Sequence, residues 1–363
     1  MGLYKKWLLS FLIFGVAGLL ASLWLLSCCT NYFDACSSII ADIPDSPVEI
    51  ITTNLPSVAC FFMVNQQSIE NAVAVRYSNW AKKCSHFVIF ANGVAGGGEQ
   101  QLDGNTILVD IQHVIQLELM ARGGNASSFN STNFTTFPLP KDETKKFLTL
   151  KAFYSWMFMA RRYSDRVDYI MKADPDTYMI MHNYLNYLGK YYSPGQNAYI
   201  GRVFKTNGDH HMPFVTGLSC TLSKTTAKLL LSASTVQKNN VGVDDINIHK
   251  DCSAEVFLRG GEADDHSLAM CLSSQGIYPA YTRDELGRER FLHFNPWEHA
   301  YGDDKAPAWY RNFSFTPLRP RKACCSNDAC AFHYVKPERQ NDTLVWVEGI
   351  WQWKSNDAVV DPS

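Results

Sequence analysis

The stretch from Tyr169 to Tyr178 constrains the fold most, because an apolar run ends there in two carboxylates on either side of a proline. The run has the pattern of a buried strand that continues into a charged turn. Pro175 fixes its own φ and biases Asp174 towards an extended conformation, so that Asp174 and Asp176 can face one cation. Hard oxygen ligands of this kind suit Mg²⁺ or Mn²⁺ better than zinc. A plain surface turn is the alternative interpretation.

The runs on either side predict an α/β fold with a mostly parallel central sheet. Residues 58–64 and 86–90 have the pattern of buried strands, and a helix is predicted between them over 68–80. Strand, helix and strand in this order imply a parallel sheet with right-handed crossovers. Further elements are predicted as strands over 106–111 and 198–204 and as helices over 147–163, 182–191 and 223–232, the last with Ser223 as its N-cap.

A glycine-rich segment, 93–140, interrupts this pattern and is low in core residues. Its cluster Gly96, Gly97 and Gly98 has no Lys-Ser/Thr after it and no G-x-G-x-x-G pattern, so it is not a phosphate-binding fingerprint. We interpret the cluster as part of a flexible insertion. On the helix that follows, Lys151 and Arg161 could reach a diphosphate, although a solvated face is the simpler interpretation.

The N-terminal region predicts a membrane anchor. Residues 7–26 carry no charge, and about 20 such residues allow one helix to cross a bilayer. Lys5 and Lys6 precede the segment and acids follow it, which places the N-terminus in the cytosol; a cleaved signal peptide is the alternative. The expected organisation is a cytoplasmic tail at 1–6, the anchor at 7–26, a stem at 27–55, a folded domain at 56–345 and a C-terminal tail at 346–363.

Sequons and cysteines favour a lumenal, oxidising location for the folded domain. Five Asn-x-Ser/Thr sequons lie beyond the anchor, at Asn125, Asn130, Asn133, Asn312 and Asn341. Nine of the eleven cysteines lie beyond the membrane edge, and their spacing predicts disulfides rather than a zinc ribbon. Because nine is odd, one thiol is free or intermolecular, and Cys36 in the stem is the candidate for a bridge between two chains. A net charge of -2 gives no sign of nucleic-acid binding.

A second acidic cluster starts a helix predicted within 260–272. Glu262, Asp264 and Asp265 lie at its N-terminus, where the helix dipole favours them, and simple capping is the alternative. The adjacent His210 and His211 are interpreted as surface residues of a loop. In the tail, Trp297, Trp309 and Tyr310 are aromatic residues of the kind that stack on sugar rings when exposed. His333 lies in the apolar run FHYV, where a lone histidine is more often a core residue than a ligand.

Taken together, these stretches resemble the inverting β1,3-glycosyltransferase family of fringe and core 1 galactosyltransferase, most closely its core 1 branch. The resemblance covers about 58–335 and is carried by VACFFMV with NWAKKC, KADPDTYMI, YIGRVFK with LSK, EADDHSLAMCL, RDELGRERF with EHAY, and CCSNDACAFHYV. It implies a GT-A-like nucleotide-sugar-binding fold, a UDP-sugar donor and Mn²⁺, with Mg²⁺ as the alternative ion. It also implies a single-pass type II membrane protein of the Golgi.

The resemblance also implies a metal site. Asp174 and Asp176 match the outer acids of the family's acidic motif, whose usual middle Asp is Pro175 here, and His333 matches its C-terminal metal-binding histidine. The donor is expected at Lys172, Asp174 and Gly217. Within FVTGLSCTLS the family's glycine-rich stretch keeps Gly217 but brings in Leu218 and Cys220, which leaves the donor sugar open.

The family resemblance also implies catalytic and acceptor-binding residues. Asp265 matches the family's base and Asp264 its neighbouring Glu, so Asp265 is the first choice and Asp264 the second. Trp309 and Tyr310 are the retained part of an aromatic run expected to bind the acceptor. By family analogy Cys60 with Cys84 and Cys252 with Cys271 are plausible bridges. Cys220 and Cys330 look like residues additional to the family's and are candidates for a pair with each other.

Three functions remain open at this point. The first is transfer of galactose from UDP-galactose in β1,3 linkage to N-acetylgalactosamine of O-linked glycoproteins, or of another UDP-sugar to another acceptor by the same mechanism. The second is a non-catalytic relative that acts as a chaperone for a transferase. Joint retention of Asp174, Asp176 and His333 favours the enzyme over the chaperone. The third is a lectin-like module with a structural metal.

Overall fold

The computed structural model describes residues 55–78, 80–121, 145–206, 212–235, 252, 263–301, 307–317, 319 and 323–336. Several predictions concern residues outside these ranges: the cytoplasmic tail, the anchor, the stem up to residue 54 with Cys36, the C-terminal tail, His210, His211, Glu262, and the sequons at Asn125, Asn130, Asn133 and Asn341. Asn312 is exposed. Among the described residues, no helix combines the length and the apolar character that crossing a bilayer requires.

A seven-stranded sheet forms the centre of the fold. In spatial order its strands are β3 (Glu99–Asp103), β4 (Thr106–Asp110), β2 (His86–Ala91), β1 (Val58–Val64), β5 (Tyr169–Ala173), β10 (Ser219–Ser223) and β7 (Tyr199–Ile200). Four neighbouring strands, β4, β2, β1 and β5, are parallel, whereas β3, β10 and β7 pair antiparallel. The predicted α/β class with a mostly parallel central sheet is therefore confirmed.

Helices cover both faces of this sheet, since its parallel strands are apolar on both sides. One face carries α2 (Ile111–Ala121), α3 (Lys145–Tyr163), α5 (Lys224–Thr235) and α6 (Asp264–Ser274). The other face carries α1 (Ile69–Ser78) and α4 (Met181–Tyr191). Alternation along β1 links the two cores: Phe61 contacts Trp156 of α3 at 4.9 Å between ring centroids, while Phe62 contacts Trp80 on the opposite side at 5.7 Å.

Smaller elements complete the fold: a three-stranded sheet packs on the second face, and a hairpin and the last short helix contribute to the core of the first face. The three-stranded sheet contains β11 (Phe291–Leu292), β12 (Ala331–Phe332) and β6 (Tyr178–Met179). The hairpin is formed by β8 (Val203–Lys205) and β9 (Pro213–Val215), and two short helices are α7 (Pro296–Tyr301) and α8 (Ala308–Phe313). Single 3₁₀ turns cover Gln66–Ser68 and Trp80–Lys83, so the helix predicted over 68–80 is shorter than expected and is flanked by these turns.

The strand predicted over 198–204 is split at Gly201, which has a φ of 154°. A Cβ atom at Gly201 would lie 2.2 Å from the Ser219 carbonyl oxygen, so the backbones approach too closely there for any side chain. The chain therefore leaves the central sheet after β7 and enters the hairpin with β8. By contrast, the N-cap prediction is confirmed, because the Thr226 N–H donates to Ser223 Oγ at 3.2 Å at the start of α5.

The glycine cluster is a structured turn, and its interpretation as part of a flexible insertion is wrong for the described residues. Gly96, Gly97 and Gly98 have φ values of 82°, 64° and 68°, a region that favours glycine. They lead into β3, and the Gly98 carbonyl accepts a hydrogen bond from Asp110 N–H at 2.9 Å. The segment therefore supplies the edge of the central sheet and then α2, which contacts α3.

Two basic residues of α3 are engaged within the protein, so the prediction of a solvated face is wrong for Lys151. Lys151 is 1% exposed, and its ammonium donates to the Val64 carbonyl at the end of β1. Arg161 forms a two-point contact with Glu118 of α2, at 2.9 and 2.8 Å. These contacts tie the ends of β1 and α2 to α3.

Both disulfides implied by the family resemblance are confirmed, Cys60–Cys84 and Cys252–Cys271. The adjacent Cys324 and Cys325 form a further bridge. The suggested pairing of Cys220 with Cys330 is wrong, because both are buried free thiols. They belong to the cores on opposite faces of the central sheet, which separates their sulfur atoms.

Candidate active site

The acidic turn lies at the carboxyl end of β5, a buried strand between β1 and β10. The Thr177 N–H closes the turn on the Asp174 carbonyl at 2.9 Å. The Thr177 hydroxyl then donates to the Leu218 carbonyl at 2.6 Å, which fixes the turn against the loop before β10. Strand β5 thus places Asp174 and Asp176 at the carboxyl end of the sheet's strands, where ligands bind in open α/β folds.

His333 reaches this turn from the far end of the chain through the small sheet. Strand β6 follows the acidic turn and pairs with β12, with Tyr178 opposite Phe332. His333 comes directly after β12, and its N–H donates to the Leu292 carbonyl at 3.0 Å. Two residues further on, the Val335 N–H donates to the Asp176 carbonyl at 2.8 Å. These bonds seat the imidazole beside both carboxylates.

Asp174, Asp176 and His333 form a triad with one potential ligand atom from each residue, all within 4.8 Å of one another. His333 Nε2 lies 3.6 Å from Asp174 Oδ2 and 3.3 Å from Asp176 Oδ1. Burial lowers the pKa of the imidazole, but the two carboxylates raise it more, to about 9. The same attraction would hold a divalent cation, and two carboxylates with one imidazole fit Mn²⁺ or Mg²⁺ chemically.

Lys172 links this triad to the acidic start of α6. Its ammonium lies 2.6 Å from Asp264 Oδ2 and 3.9 Å from Asp174 Oδ1, and its side chain is 4% exposed. Burial lowers the pKa of Lys172, but the surrounding carboxylates raise it further, so the residue is charged. Lys172, expected to bind the donor, is therefore engaged by carboxylates of the protein itself.

Asp265 occupies a different environment from its neighbour Asp264. Burial and the charge of Asp264 raise the pKa of Asp265 to about 7, although Lys172 opposes the shift. Its Oδ1 accepts the His266 N–H at 2.9 Å. A carboxylate with a pKa near neutrality can accept a proton under physiological conditions, whereas Asp264 is held by the ion pair.

Gly217, predicted to bind the donor, lies next to both Asp174 and Lys172. A Cβ atom there would be 3.0 Å from Asp174 Oδ2 and 3.6 Å from Lys172 Nζ. Glycine therefore leaves Asp174 in position beside His333. Leu218 and Cys220, the substitutions that left the donor sugar open, are both buried in the core.

The two aromatic residues expected to bind the acceptor have different surroundings. Trp309 is 41% exposed, whereas Tyr310 is 1% exposed and its hydroxyl accepts a hydrogen bond from Arg202 Nη2 at 2.7 Å. The expectation that Tyr310 stacks on a sugar is thus corrected: its ring packs in the interior. Arg202 is buried too and forms an ion pair with Glu289 at 2.5 Å. Arg202 therefore links Glu289 to Tyr310 of α8.

Sequence reasoning missed His293 and Tyr334, which lie between Trp309 and the triad. The His293 ring is 5.3 Å from the His333 ring and 5.5 Å from that of Trp309. Tyr334 stacks on His333 at 4.3 Å, has a φ of 55° and is 45% exposed. The available signal was a histidine inside the apolar run FLHF, flanked by two stretches that carry the family resemblance.

The architecture and the site together indicate the class of fold. A mixed α/β domain with a mostly parallel central sheet, with acids at the end of a central strand and a histidine from the chain's end, fits a GT-A-like fold. No family model matches the chain. The chain is 25% identical over 215 residues to glycoprotein-N-acetylgalactosamine 3-beta-galactosyltransferase 1 of Xenopus laevis. That match covers 58% of this chain and 54% of the relative, so it spans about half of the relative's length, and it confirms the resemblance to the β1,3-galactosyltransferase family.

Proposed function

We propose that this chain is a glycosyltransferase that moves galactose from UDP-galactose, with inversion, in β1,3 linkage to N-acetylgalactosamine of O-linked glycoproteins. The observation that carries the proposal is the junction of two groups of residues. The triad of Asp174, Asp176 and His333 is joined through Lys172 to the acids that start α6. The name of the Xenopus relative supports the choice of donor sugar, linkage and acceptor.

The triad is the proposed site for Mn²⁺, or alternatively Mg²⁺. When bound there, the cation would neutralise the charge that develops on the departing diphosphate. Asp174 is already positioned for this role, because the Thr177 N–H closes the acidic turn and the lack of a side chain at Gly217 leaves room for the carboxylate. Burial raises the pKa of Asp174, but Lys172 and His333 lower it more, so this carboxylate is ionised at neutral pH.

Asp265 is the proposed general base. An inverting transfer needs a carboxylate that removes the acceptor hydroxyl proton as the oxygen attacks the anomeric carbon. Asp264 Oδ2 is taken by Lys172 at 2.6 Å, which leaves Asp265 as the better placed of the two acids. Trp309, the exposed member of the predicted pair, is retained as an acceptor-binding residue.

The proposed setting is the Golgi membrane, with a single anchor at 7–26 and a lumenal catalytic domain. Its support comes from the uncharged N-terminal run, the sequons beyond it and the disulfides within the domain. A homodimer, with Cys36 as its covalent link, belongs to the same proposal.

Product analysis tests the function. Purified chain with Mn²⁺ is incubated with an N-acetylgalactosaminyl-Ser/Thr glycopeptide and, separately, UDP-galactose, UDP-N-acetylglucosamine or UDP-glucose. We expect one hexose to be added from UDP-galactose, in a β1,3 linkage that nuclear magnetic resonance identifies. Transfer from another donor would correct the proposed donor sugar. The absence of product with every donor would favour the chaperone or lectin-like function.

A further inference from the structure

His293 is a buried polar side chain that no contact in the described residues explains. It follows β11 and is 6% exposed, and neither of its ring nitrogens has a hydrogen-bond partner among the residues that the structure describes. Buried polar groups in native proteins are nearly always hydrogen-bonded, and an exception calls for a reason such as a ligand or a water. For comparison, the nearby His299 uses Nε2 to accept the Phe294 N–H at 3.0 Å.

Several aromatic rings pack around His293. Phe204 and Tyr310 pack closely against it, with ring centroids 4.7 and 5.7 Å away. Trp309 and Tyr334 each lie 5.5 Å from it and are 41% and 45% exposed. We name Trp309 and Tyr334 the aromatic rim; His293 lies at its base, next to the triad residue His333.

The position of the rim relates it to both reacting partners. On one side Tyr334 stacks on the metal-site imidazole of His333. On the other side ring contacts run from Trp309 through Phe204 and Phe214 to His266, the neighbour of Asp265. The rim is therefore connected by ring contacts both to the metal-site imidazole and to the helix that carries the proposed base.

The chemistry of an imidazole selects among ligands. A neutral imidazole offers one donor and one acceptor, so a group that both donates and accepts satisfies it best. Sugar hydroxyls do both, whereas a diphosphate that has lost its protons only accepts. Pyranose rings also present apolar faces that suit exposed aromatic rings such as Trp309 and Tyr334.

We propose that His293 is a sugar-binding residue, which hydrogen-bonds a hydroxyl of a pyranose ring held against Trp309 and Tyr334. In this proposal the imidazole turns towards the two exposed rim residues to present a nitrogen to the ligand. The inference rests on the proposed function and deepens it by naming a residue that recognises the sugar. The pyranose is either that of the donor or that of the acceptor, which share this chemistry.

Direct binding measurements test the assignment without requiring turnover. The purified full chain with Mn²⁺ is titrated with UDP, with UDP-galactose and with an N-acetylgalactosaminyl-Ser/Thr glycopeptide in the presence of UDP. The variants are His293→Phe, which keeps a ring and loses both nitrogens, and His293→Gln, which keeps a donor and an acceptor. Loss of one hydrogen bond predicts roughly fivefold to tenfold weaker binding of one sugar ligand by His293→Phe.

The titration in which the affinity changes shows whether His293 binds the donor sugar or the acceptor sugar. Weaker binding of UDP-galactose with unchanged binding of UDP assigns His293 to the donor sugar. Weaker binding of the glycopeptide assigns it to the acceptor sugar. His293→Gln should bind more tightly than His293→Phe in the affected titration. Unchanged sugar binding by folded His293→Phe overturns the inference while leaving the proposed function intact. A wild-type chain that binds neither sugar ligand overturns the proposed function and this inference with it.

Discussion

Removing the ammonium of Lys172 should destabilise the folded chain, because Lys172 joins the two acidic groups of the site. It lies 2.6 Å from Asp264 and 3.9 Å from Asp174, and its side chain is 4% exposed against 12% for Asp264. Breaking a buried pair by removing one partner costs about 3–5 kcal/mol, since the remaining charge is left unpaired. We expect Lys172→Met to lower the free energy of unfolding by about 3 kcal/mol, at the lower end because Asp264 is partly accessible to water.

A double-mutant cycle isolates the pair from the loss of the lysine stem. Adding Asp264→Asn to Lys172→Met removes the stranded carboxylate, so the double variant should regain about 2 kcal/mol over Lys172→Met. Urea unfolding of each variant at neutral pH without added metal gives the free energies. Lys228→Met is the matched control, because Lys228 and Asp165 form an exposed pair whose loss should cost less than about 1 kcal/mol. Additivity of the two substitutions within about 0.5 kcal/mol would refute the coupling.

Three further predictions concern the site. Asp176→Ala should leave the fold intact, since Asp176 is 37% exposed in its side chain, yet abolish transfer in a product assay; substantial activity would exclude its metal role. The pKa of about 7 for Asp265 predicts that kcat/KM falls roughly tenfold per pH unit below neutrality, because the base must be ionised; a flat profile from pH 5 to 8 would exclude it. Gly217→Ala places a Cβ atom 3.0 Å from Asp174 Oδ2 and should weaken Mn²⁺ binding by about tenfold in calorimetric titration, whereas Gly104→Ala, with nothing within 4 Å, should not; equal affinities would contradict the close contact.

Local patterns predicted the sheet well. Apolar runs of strand length gave β1 and β2, and the charged turn after β5 lies at the sheet edge as expected. The predictions failed where distant backbone decides the outcome. Gly201 ends its strand because the Ser219 carbonyl approaches it, and Gly96 to Gly98 shape an ordered turn that a composition argument interprets as flexible.

The site was predictable to the extent that family motifs mark it. Asp174, Asp176 and His333 come together as the resemblance implied, although the apolar context of His333 alone favoured a core residue. The ion pair of Lys172 with Asp264 joins residues 92 positions apart, so no local pattern contains it. Burial likewise distinguishes Tyr310 from Trp309, although the two are adjacent in sequence.

Metal-dependent release of UDP tests the proposed enzyme most directly. The purified chain is given UDP-galactose and an N-acetylgalactosaminyl-Ser/Thr glycopeptide, with Mn²⁺, and free UDP is measured with and without a chelator. We predict release that requires the glycopeptide, stops on chelation and returns when Mn²⁺ is restored. Acceptor-dependent release that continues undiminished in excess chelator would contradict a metal role for Asp174, Asp176 and His333. A folded sample that releases no UDP would contradict the transferase itself.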